Sequence, residues 1–281
     1  MEGREPSRTA VGAAIARAMH LDDPGPKVLE DRLARSLVGD AVPEQVEELM
    51  AMEPSVQHSY ALQFVVRARY VEDMVERAVG EGVGQYVILG AGLDSFAYRR
   101  IDLLDRLRVY EVDHPASQAW KRARLHEVGV EIPDGVVFVP IDFERETLID
   151  VLGAAGFDLT APAALSWVAV APYLTRPAIE ATLKAVASLP AGTRMVMTYV
   201  VPPDILDEVA QRGFHWTAKR TADMGEPLVS LFTPAELEEL VLGLGFSHVD
   251  HFEAADAKRT YLSGRPDAML ANIERFVTAT V

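Results

Sequence analysis

The sequence predicts one α/β domain built on a mostly parallel, Rossmann-like sheet, and three observations predict it. Apolar runs typical of strands alternate with helical patterns between residues 85 and 200. The first run ends in two closely spaced glycines, Gly90 and Gly92, and the second ends in Glu111 and Asp113. Strands that alternate with helices form parallel sheets with right-handed crossovers. A glycine turn after the first strand and an acid after the second are typical of a nucleoside site.

The individual elements follow from apolar spacing and turn residues. Apolar residues three and four positions apart predict helices over 7–20 and 44–79, with a loop at 21–26. Strands are predicted at 85–89, 107–112, 136–140, 163–170 and 193–200. Helices are predicted between them at 95–105, 115–128, 144–155 and 175–189. Residues 201–230 then interrupt the alternation, as lids and substrate walls often do.

The last part of the chain carries a clear helix start. Thr233-Pro-Ala-Glu236 is a capping box with proline at the first helical position, and it predicts a helix to about Leu242. Strands are expected near 246–252 and 273–280. We expect a single domain over 1–281. It comprises a helical cap at 1–80, a cofactor-binding core at 81–200, an insertion or lid at 201–232, and a C-terminal helix and strands at 233–281.

The composition limits the classes of function. The 281 residues carry a net charge of −15, which argues against nucleic acid and anionic membrane surfaces as partners. The absence of cysteine excludes disulfides, thiolate zinc sites and a cysteine nucleophile. No apolar leader or membrane-length apolar run is visible. We therefore expect a cytoplasmic enzyme acting on a small molecule, and the sequence indicates no oligomeric state.

The glycine turn fails as a dinucleotide fingerprint. Ser95 stands where the third glycine of G-x-G-x-x-G would be, and Asp94 places a carboxylate where a pyrophosphate would lie. An anionic dinucleotide is therefore disfavoured, which weakens a dinucleotide-dependent oxidoreductase. A cofactor that carries an amine and a sulfonium fits better, which favours S-adenosyl-L-methionine, with S-adenosyl-L-homocysteine as its product.

Five motifs in order along the chain resemble a known family. They are Phe64-Val-Val-Arg67-Ala-Arg-Tyr-Val-Glu-Asp73, Gly90-Ala-Gly-Leu-Asp-Ser-Phe-Ala-Tyr-Arg99, Tyr110-Glu-Val-Asp-His-Pro115, Val139-Pro-Ile-Asp142-Phe143 and Ser166-Trp-Val-Ala-Val-Ala-Pro-Tyr-Leu174. The chain resembles the leucine carboxyl methyltransferase family, and within it the bacterial S-adenosylmethionine-dependent O-methyltransferases, some from polyketide pathways. The resemblance implies a class I methyltransferase fold whose last strand is antiparallel.

The resemblance also implies roles for several residues. Arg67 would hold the methionine carboxylate of the cofactor, and Asp113 would bind the ribose. The family places an Asp-Leu pair at the adenine, where this chain has Asp142 and Phe143. Without the resemblance, Arg67 would be expected to be a surface arginine paired to a nearby acid, and Asp142 would be expected to cap a helix.

The turn itself supplies further candidates for cofactor binding. Gly90, Ala91 and Gly92 would allow close backbone approach, and Asp94 lies beside them. Glu111 shares a strand face with the acid two residues on, so both could point at the ligand. An ordinary strand-to-helix turn and a solvated strand end are the alternatives.

The acceptor side shows one departure from the family. Eukaryotic members carry a glutamate after the fourth strand, at the position of Val168 here, so a eukaryotic protein-phosphatase substrate is not expected. Trp167 would pack either on the cofactor or substrate, or in the core. Further candidates for the substrate wall are Tyr173, Tyr199, Trp216 and Phe232.

These observations predict an S-adenosylmethionine-dependent O-methyltransferase acting on a carboxylate of a small, natural-product-like molecule. A carboxylate needs no base, so no catalytic residue is nominated. The alternatives are a hydroxyl O-methyltransferase with His114 or His215 as base, and a protein that binds the cofactor without transferring methyl. His248 and His251 face opposite sides of a strand, so no metal site is expected.

Overall fold

The protein is described by a computed structural model covering residues 8–23, 25–39, 54–265 and 268–281. Its centre is a seven-stranded sheet with the strand order β3-β2-β1-β4-β5-β7-β6. The strands are β1 Gln85–Leu89, β2 Arg108–Asp113, β3 Val136–Pro140, β4 Ala164–Trp167, β5 Arg194–Val200, β6 His248–Phe252 and β7 Glu274–Thr280. The first five are parallel, and β7 runs antiparallel to both β5 and β6. The predicted fold class is confirmed.

Helices cover both faces of the sheet, so the central strands are apolar on both sides, as parallel strands must be. All five residues of β1 are buried. One face packs Leu89, Leu165 and Trp167 into the larger core cluster. The opposite face packs Ile88 and Val109 against the long helix that precedes the sheet.

The helices flank this sheet in chain order. They are α1 Arg8–His20, α2 Arg32–Val38, α3 Pro54–Gly80, α4 Phe96–Arg99, α5 Pro115–Glu127, α6 Leu148–Ala154, α7 Arg176–Ala187, α8 Glu208–Asp223, α9 Pro234–Gly243 and α10 Ala254–Tyr261. Short 3₁₀ turns lie at Ile101–Leu103, Ala171–Tyr173 and Pro203–Ile205. Within the described ranges, no helix combines the length and apolarity needed to cross a bilayer.

Most predicted elements are present, with shifted ends. The predicted helix over 95–105 is a four-residue helix followed by a 3₁₀ turn, and the predicted strand over 163–170 ends at Trp167. The part of the predicted helix at 44–53 lies outside the described residues. Helices α2, α8 and α10 were not predicted. The first is only seven residues long, α8 contains Gly213 within a segment interpreted as a lid, and α10 begins after Glu253, an uncommon N-cap.

A buried charge network joins the N-terminal helices to the glycine turn. The Arg17 guanidinium of α1 lies 2.8 Å from Asp31, which also accepts a 2.6 Å hydrogen bond from Ser95 Oγ. Arg99 of α4 lies 3.4 Å from the same carboxylate. Burial alone would raise the pKa of Asp31, but the two arginines and the Ser95 hydroxyl together more than offset it and hold the pKa below its usual value. The network fixes α1 over the end of β1.

Candidate active site

A cavity of about 590 Å³ lies at the carboxyl ends of the parallel strands. It spans the switch point between β1 and β4, where open α/β sheets bind their ligands. Residues of α1, α3 and α8 form its other walls. The cavity is therefore enclosed by the sheet edge on one side and by three helices outside the strand-helix alternation on the others.

The turn after β1 brings backbone close to this cavity. Gly90 has φ +71° and Gly92 has φ +44°, both in the left-handed region that favours glycine. A Cβ at position 90 would collide with Val170 Cγ2. The amides of Gly90 and Ala91 donate to the carbonyl of Val112 at 2.8 and 3.1 Å, which ties the turn to β2. All three turn residues predicted to approach a ligand line the cavity.

Asp94 follows the glycine turn and lies two residues before the first residue of helix α4. Its Oδ1 accepts from the amide of Phe96 at 2.7 Å, and the residue lines the cavity. Helix α4 has only four residues. A phosphate at this position would compete with the Asp94 carboxylate for the same amide, so the geometry disfavours a pyrophosphate.

The two acids of β2 have different surroundings. Asp113 lines the cavity, and its oxygens accept from the amides of Gly92 and His114 at 2.5 and 2.6 Å. Burial raises its pKa. Each carboxylate oxygen has a second lone pair, so a ribose hydroxyl can still bind.

Glu111 does not line the cavity, contrary to the prediction. Helix α5 covers it, and its carboxylate forms a 2.7 Å ion pair with Lys121, with both side chains about 1% exposed. Burial raises the pKa of Glu111. Both acids of β2 lie on one face of the strand, as strand alternation predicts. Glu111, however, lies two residues further than Asp113 from the carboxyl end of β2, where the cavity is.

Arg67 lies in the cavity wall on α3. The residue is 6% exposed, its guanidinium lies 4.4 Å from the ring centre of Phe64, and Nη1 donates to Glu274 Oε2 at 2.8 Å. Arg69 faces away from the cavity and pairs with Asp73 at 2.5 Å. The guanidinium that reaches the cavity is therefore that of Arg67, and it already has an acidic partner in Glu274.

The predicted adenine pair is divided. Phe143 lines the cavity, whereas Asp142 does not. The Asp142 carboxylate accepts from the amide of Glu144 at 3.1 Å and lies 3.4 Å from Arg145. It therefore stabilises the loop after β3, and the next helix begins only at Leu148.

Three predicted wall residues lie in the core instead. Trp167 is fully buried, because on β4 it faces the side opposite to Ser166, which lines the cavity. Tyr199 packs in the core, and its hydroxyl contacts His251 Nδ1 at 3.2 Å. Phe232 also packs in the core, with the Arg176 guanidinium 4.4 Å from the centre of the Phe232 ring. The other two predicted wall residues, Tyr173 and Trp216, line the cavity.

Among the cavity residues that sequence reasoning missed are Arg17, Tyr60, Arg220 and Glu274. Arg17 and Tyr60 come from the helices ahead of β1, Arg220 from the unpredicted helix α8, and Glu274 from the first position of β7. None belongs to a motif. Only helical spacing could have indicated Tyr60, because it lies seven residues before Arg67 on α3 and therefore on the same face of that helix.

The two histidines offered as bases differ in position, and neither is a free base beside the cavity. The ring of His114 lines the cavity but caps α5, because its Nδ1 accepts from the amide of Ala116 at 3.2 Å. His215 is exposed and outside the cavity wall. In the ranges that the structure describes, no group of three or more His, Asp or Glu side chains is arranged to hold a metal ion.

These residues fit an S-adenosylmethionine-like ligand. The turn at Gly90 leaves no room for a side chain, the carboxylate of Asp113 lies at the end of β2, and an Arg67–Glu274 pair offers both charges to an amino-acid group. The donor set therefore matches a nucleoside joined to a zwitterion, without a phosphate.

The strand order is that of the class I methyltransferase fold. The family model for leucine carboxyl methyltransferases matches residues 10–187, and the chain belongs to that family. It is 29% identical over 96% of both chains to YktD of Bacillus subtilis, a candidate S-adenosyl-L-methionine-dependent methyltransferase.

Two solved structures share the fold. A DUF574 family protein from Streptomyces avermitilis gives a TM-score of 0.59 at 16% identity, covering 98% of this chain and 97% of the other. A candidate methyltransferase from Thermobifida fusca gives 0.58 at 18% identity, covering 98% and 95%. With the family membership, these comparisons make the protein an S-adenosyl-L-methionine-dependent methyltransferase.

Proposed function

We propose that this methyltransferase transfers the methyl group to a carboxylate oxygen of a small organic acid with an apolar body. The observation that carries the proposal is Arg220, a guanidinium in the cavity wall close to two aromatic rings. It lies 5.0 Å from the ring centre of Trp216 and 5.9 Å from that of Tyr60. Natural-product acids of the kind modified in polyketide pathways have this combination of groups.

The chemistry of this wall favours an acid over a neutral acceptor. A guanidinium binds carboxylates through charge-assisted and often bidentate hydrogen bonds. Trp216 and Arg220 are four residues apart on α8, so they face the same side of the helix. The rings can pack on the apolar part of an acceptor while Arg220 binds its charged end.

The reaction itself places few demands on the protein. When bound, S-adenosylmethionine would supply an activated methyl group to a lone pair of the acceptor carboxylate. The electron pair of the broken C–S bond would stay on sulfur, which gives the methyl ester and S-adenosylhomocysteine. No proton moves, because the carboxylate is already ionised at neutral pH. The residues of this chain bind, orient and shield the reactants, which is the main contribution expected for such a transfer.

The placement of the histidines supports the same proposal. A hydroxyl acceptor needs a base beside its oxygen, but the His114 ring nitrogen accepts a backbone hydrogen bond and His215 lies outside the cavity. Burial raises the pKa of Tyr60 and of Tyr173, which makes both poor bases at neutral pH. A hydroxyl acceptor remains the second candidate, and Glu226 in the cavity wall would be its base.

The test separates an ester from an ether. The enzyme is incubated with methyl-labelled S-adenosylmethionine and paired probes, phenylacetate and phenol among them. We expect labelled ester from the acids, cleaved by mild alkali to methanol, and a single-turnover rate nearly flat between about pH 6 and 8. An alkali-stable product whose formation rises with pH would contradict the proposal and favour the hydroxyl acceptor.

Arg220 supplies the variant for this test. Replacing Arg220 with Gln should lower kcat/KM for the acid about 10- to 100-fold, because a charged hydrogen bond is lost. Arg212→Gln is the control, since this exposed arginine lies two turns earlier on the same helix and outside the cavity wall. It should change kcat/KM less than twofold.

A further inference from the structure

We infer that Glu274 binds the ammonium group of the cofactor's methionine moiety, so that Arg67 and Glu274 together recognise a zwitterion. The inference deepens the proposed function and rests on the cofactor, independently of the acceptor. Glu274 lies outside the matched range 10–187, and no motif indicates it.

The antiparallel strand β7 is what brings this residue to the cavity. The parallel strands meet the cavity with their carboxyl ends, but β7 runs the other way, so its first residue reaches the same edge. Glu274 is paired with Val200, the last residue of β5, and both line the cavity. Only the start of β7 can contribute a side chain here.

The Glu274 carboxylate is only half satisfied by protein. Its Oε2 accepts from Arg67 Nη1 at 2.8 Å and from Gln63 Nε2 at 3.4 Å. Its Oε1 is buried and has no hydrogen-bond partner among the residues described. A buried carboxylate oxygen without a hydrogen-bond donor costs free energy. Glu274 Oε1 can therefore accept from a cationic or N–H group of a ligand.

The other cavity acids already have donors. Asp94 accepts from the amide of Phe96, and Asp113 accepts from two backbone amides. Glu72 is paired with Arg99, and Glu226 accepts from the amide of Thr9 at 3.3 Å.

The wall after β4 offers no acid, because Val168 lines it. An ammonium entering beside Arg67 therefore finds its carboxylate partner in Glu274. An α-amino acid carries its carboxylate and its ammonium group on one carbon. Arg67 and Glu274, 2.8 Å apart, can bind these two neighbouring groups, the arginine the carboxylate and the glutamate the ammonium.

Calorimetry with two ligands tests this. S-adenosylhomocysteine carries the amino-acid group, whereas 5′-methylthioadenosine lacks it and keeps the adenosine and sulfur. Glu274→Gln should raise the Kd for S-adenosylhomocysteine at least 10-fold and leave the Kd for 5′-methylthioadenosine within twofold. Unchanged binding of the second ligand also shows that the variant is folded.

The control is a neighbouring pair of the same type. Glu253 lies 2.8 Å from Arg275 beside the start of β7, outside the cavity wall. Glu253→Gln should leave both affinities unchanged.

Two results would overturn the inference. One is S-adenosylhomocysteine binding to Glu274→Gln as tightly as to the parent, which would show that the Glu274 charge does not bind the ammonium group. The other is an equal loss for both ligands, which would show no dependence on the amino-acid group. Neither measurement includes an acceptor, so failure of the carboxylate proposal leaves both results unaffected.

Discussion

At the scale of single residues, the cavity has a charge balance unlike that of the whole chain. The chain carries −15, but the cavity wall combines four arginines with five carboxylates. They are Arg8, Arg17, Arg67 and Arg220, and Glu72, Asp94, Asp113, Glu226 and Glu274. Overall charge therefore describes the outer surface, while ligand recognition depends on which of these groups remain available for a further hydrogen bond.

The first residue-scale prediction concerns cofactor affinity. Asp113→Ala and Arg67→Ala should each weaken S-adenosylhomocysteine binding by about 1–3 kcal/mol, because each leaves a polar group of the ligand without its charged partner. Arg69→Ala should have little effect, since Arg69 pairs with Asp73 away from the cavity. Calorimetry measures all three. A loss confined to Arg69→Ala would place the wrong arginine in the site.

Residue by residue, the sequence predicted the turn and the end of β2 best. Gly90 and Asp113 are constrained by local geometry, so a short motif identifies them. Trp167 and Tyr199 were assigned by residue type, but strand alternation turns both into the core. Glu274 had no local signal, because only the sheet brings it beside Arg67.

At the scale of elements, the turn between β1 and α4 combines strain with tight packing. Gly90→Ala should lower the free energy of unfolding by more than the roughly 1–2 kcal/mol expected for alanine in the left-handed region, because its Cβ would also collide with the side chain of Val170. Cofactor binding should fall as well. Urea unfolding and calorimetry measure these effects.

Gly129→Ala is the matched control for this substitution. Gly129 has φ +70°, close to that of Gly90, but a Cβ added there would have no atom within 4 Å beyond its chain neighbours. It should show the conformational cost alone, with cofactor affinity retained. Equal losses of unfolding free energy in the two variants would mean that Val170 moves away from the added Cβ without a measurable cost in stability.

The element least accessible to sequence reasoning is α8. Its segment was predicted only as an insertion or lid, without a helix, and it contains a 16-residue helix with Asp207 as N-cap. The helix puts Trp216 and Arg220 in the cavity wall, and Ala210 and Phe214 in the core. The assignment of this segment to the substrate side stays a prediction, supported by its place in the wall.

At the scale of the whole molecule, the Asp31 network makes stability depend on pH. Asp31→Asn keeps an acceptor for the α2 N-cap but removes the charge between Arg17 and Arg99. We expect a loss of about 3 kcal/mol in the free energy of unfolding at pH 7, since a buried ion pair is broken.

The sign of the pH dependence follows from the depressed pKa of Asp31. A carboxyl whose pKa is lower in the folded state stabilises the fold above its unfolded pKa, near 3.9, and this stabilisation is lost as pH falls through the folded value. The difference between parent and Asp31→Asn in urea unfolding should therefore shrink below about pH 4.

Asp22→Asn is the control for this prediction, because Asp22 pairs with Arg35 on the exposed surface. Its effect should stay below about 1 kcal/mol at every pH. A difference for Asp31→Asn that is constant with pH would show that the lost charge is not responsible.

The insertion of β7 between β5 and β6 also determines the order in which the sheet can be assembled during synthesis. β6 emerges from the ribosome before β7, but its only described strand partner is β7. Thr280 of β7 pairs with Arg194 of β5, far earlier in the chain. The first five strands can therefore pair with one another before β6 has a partner. A nascent chain that stalls before residue 274 should leave the edge of β5 unpaired and exposed to chaperones or aggregation.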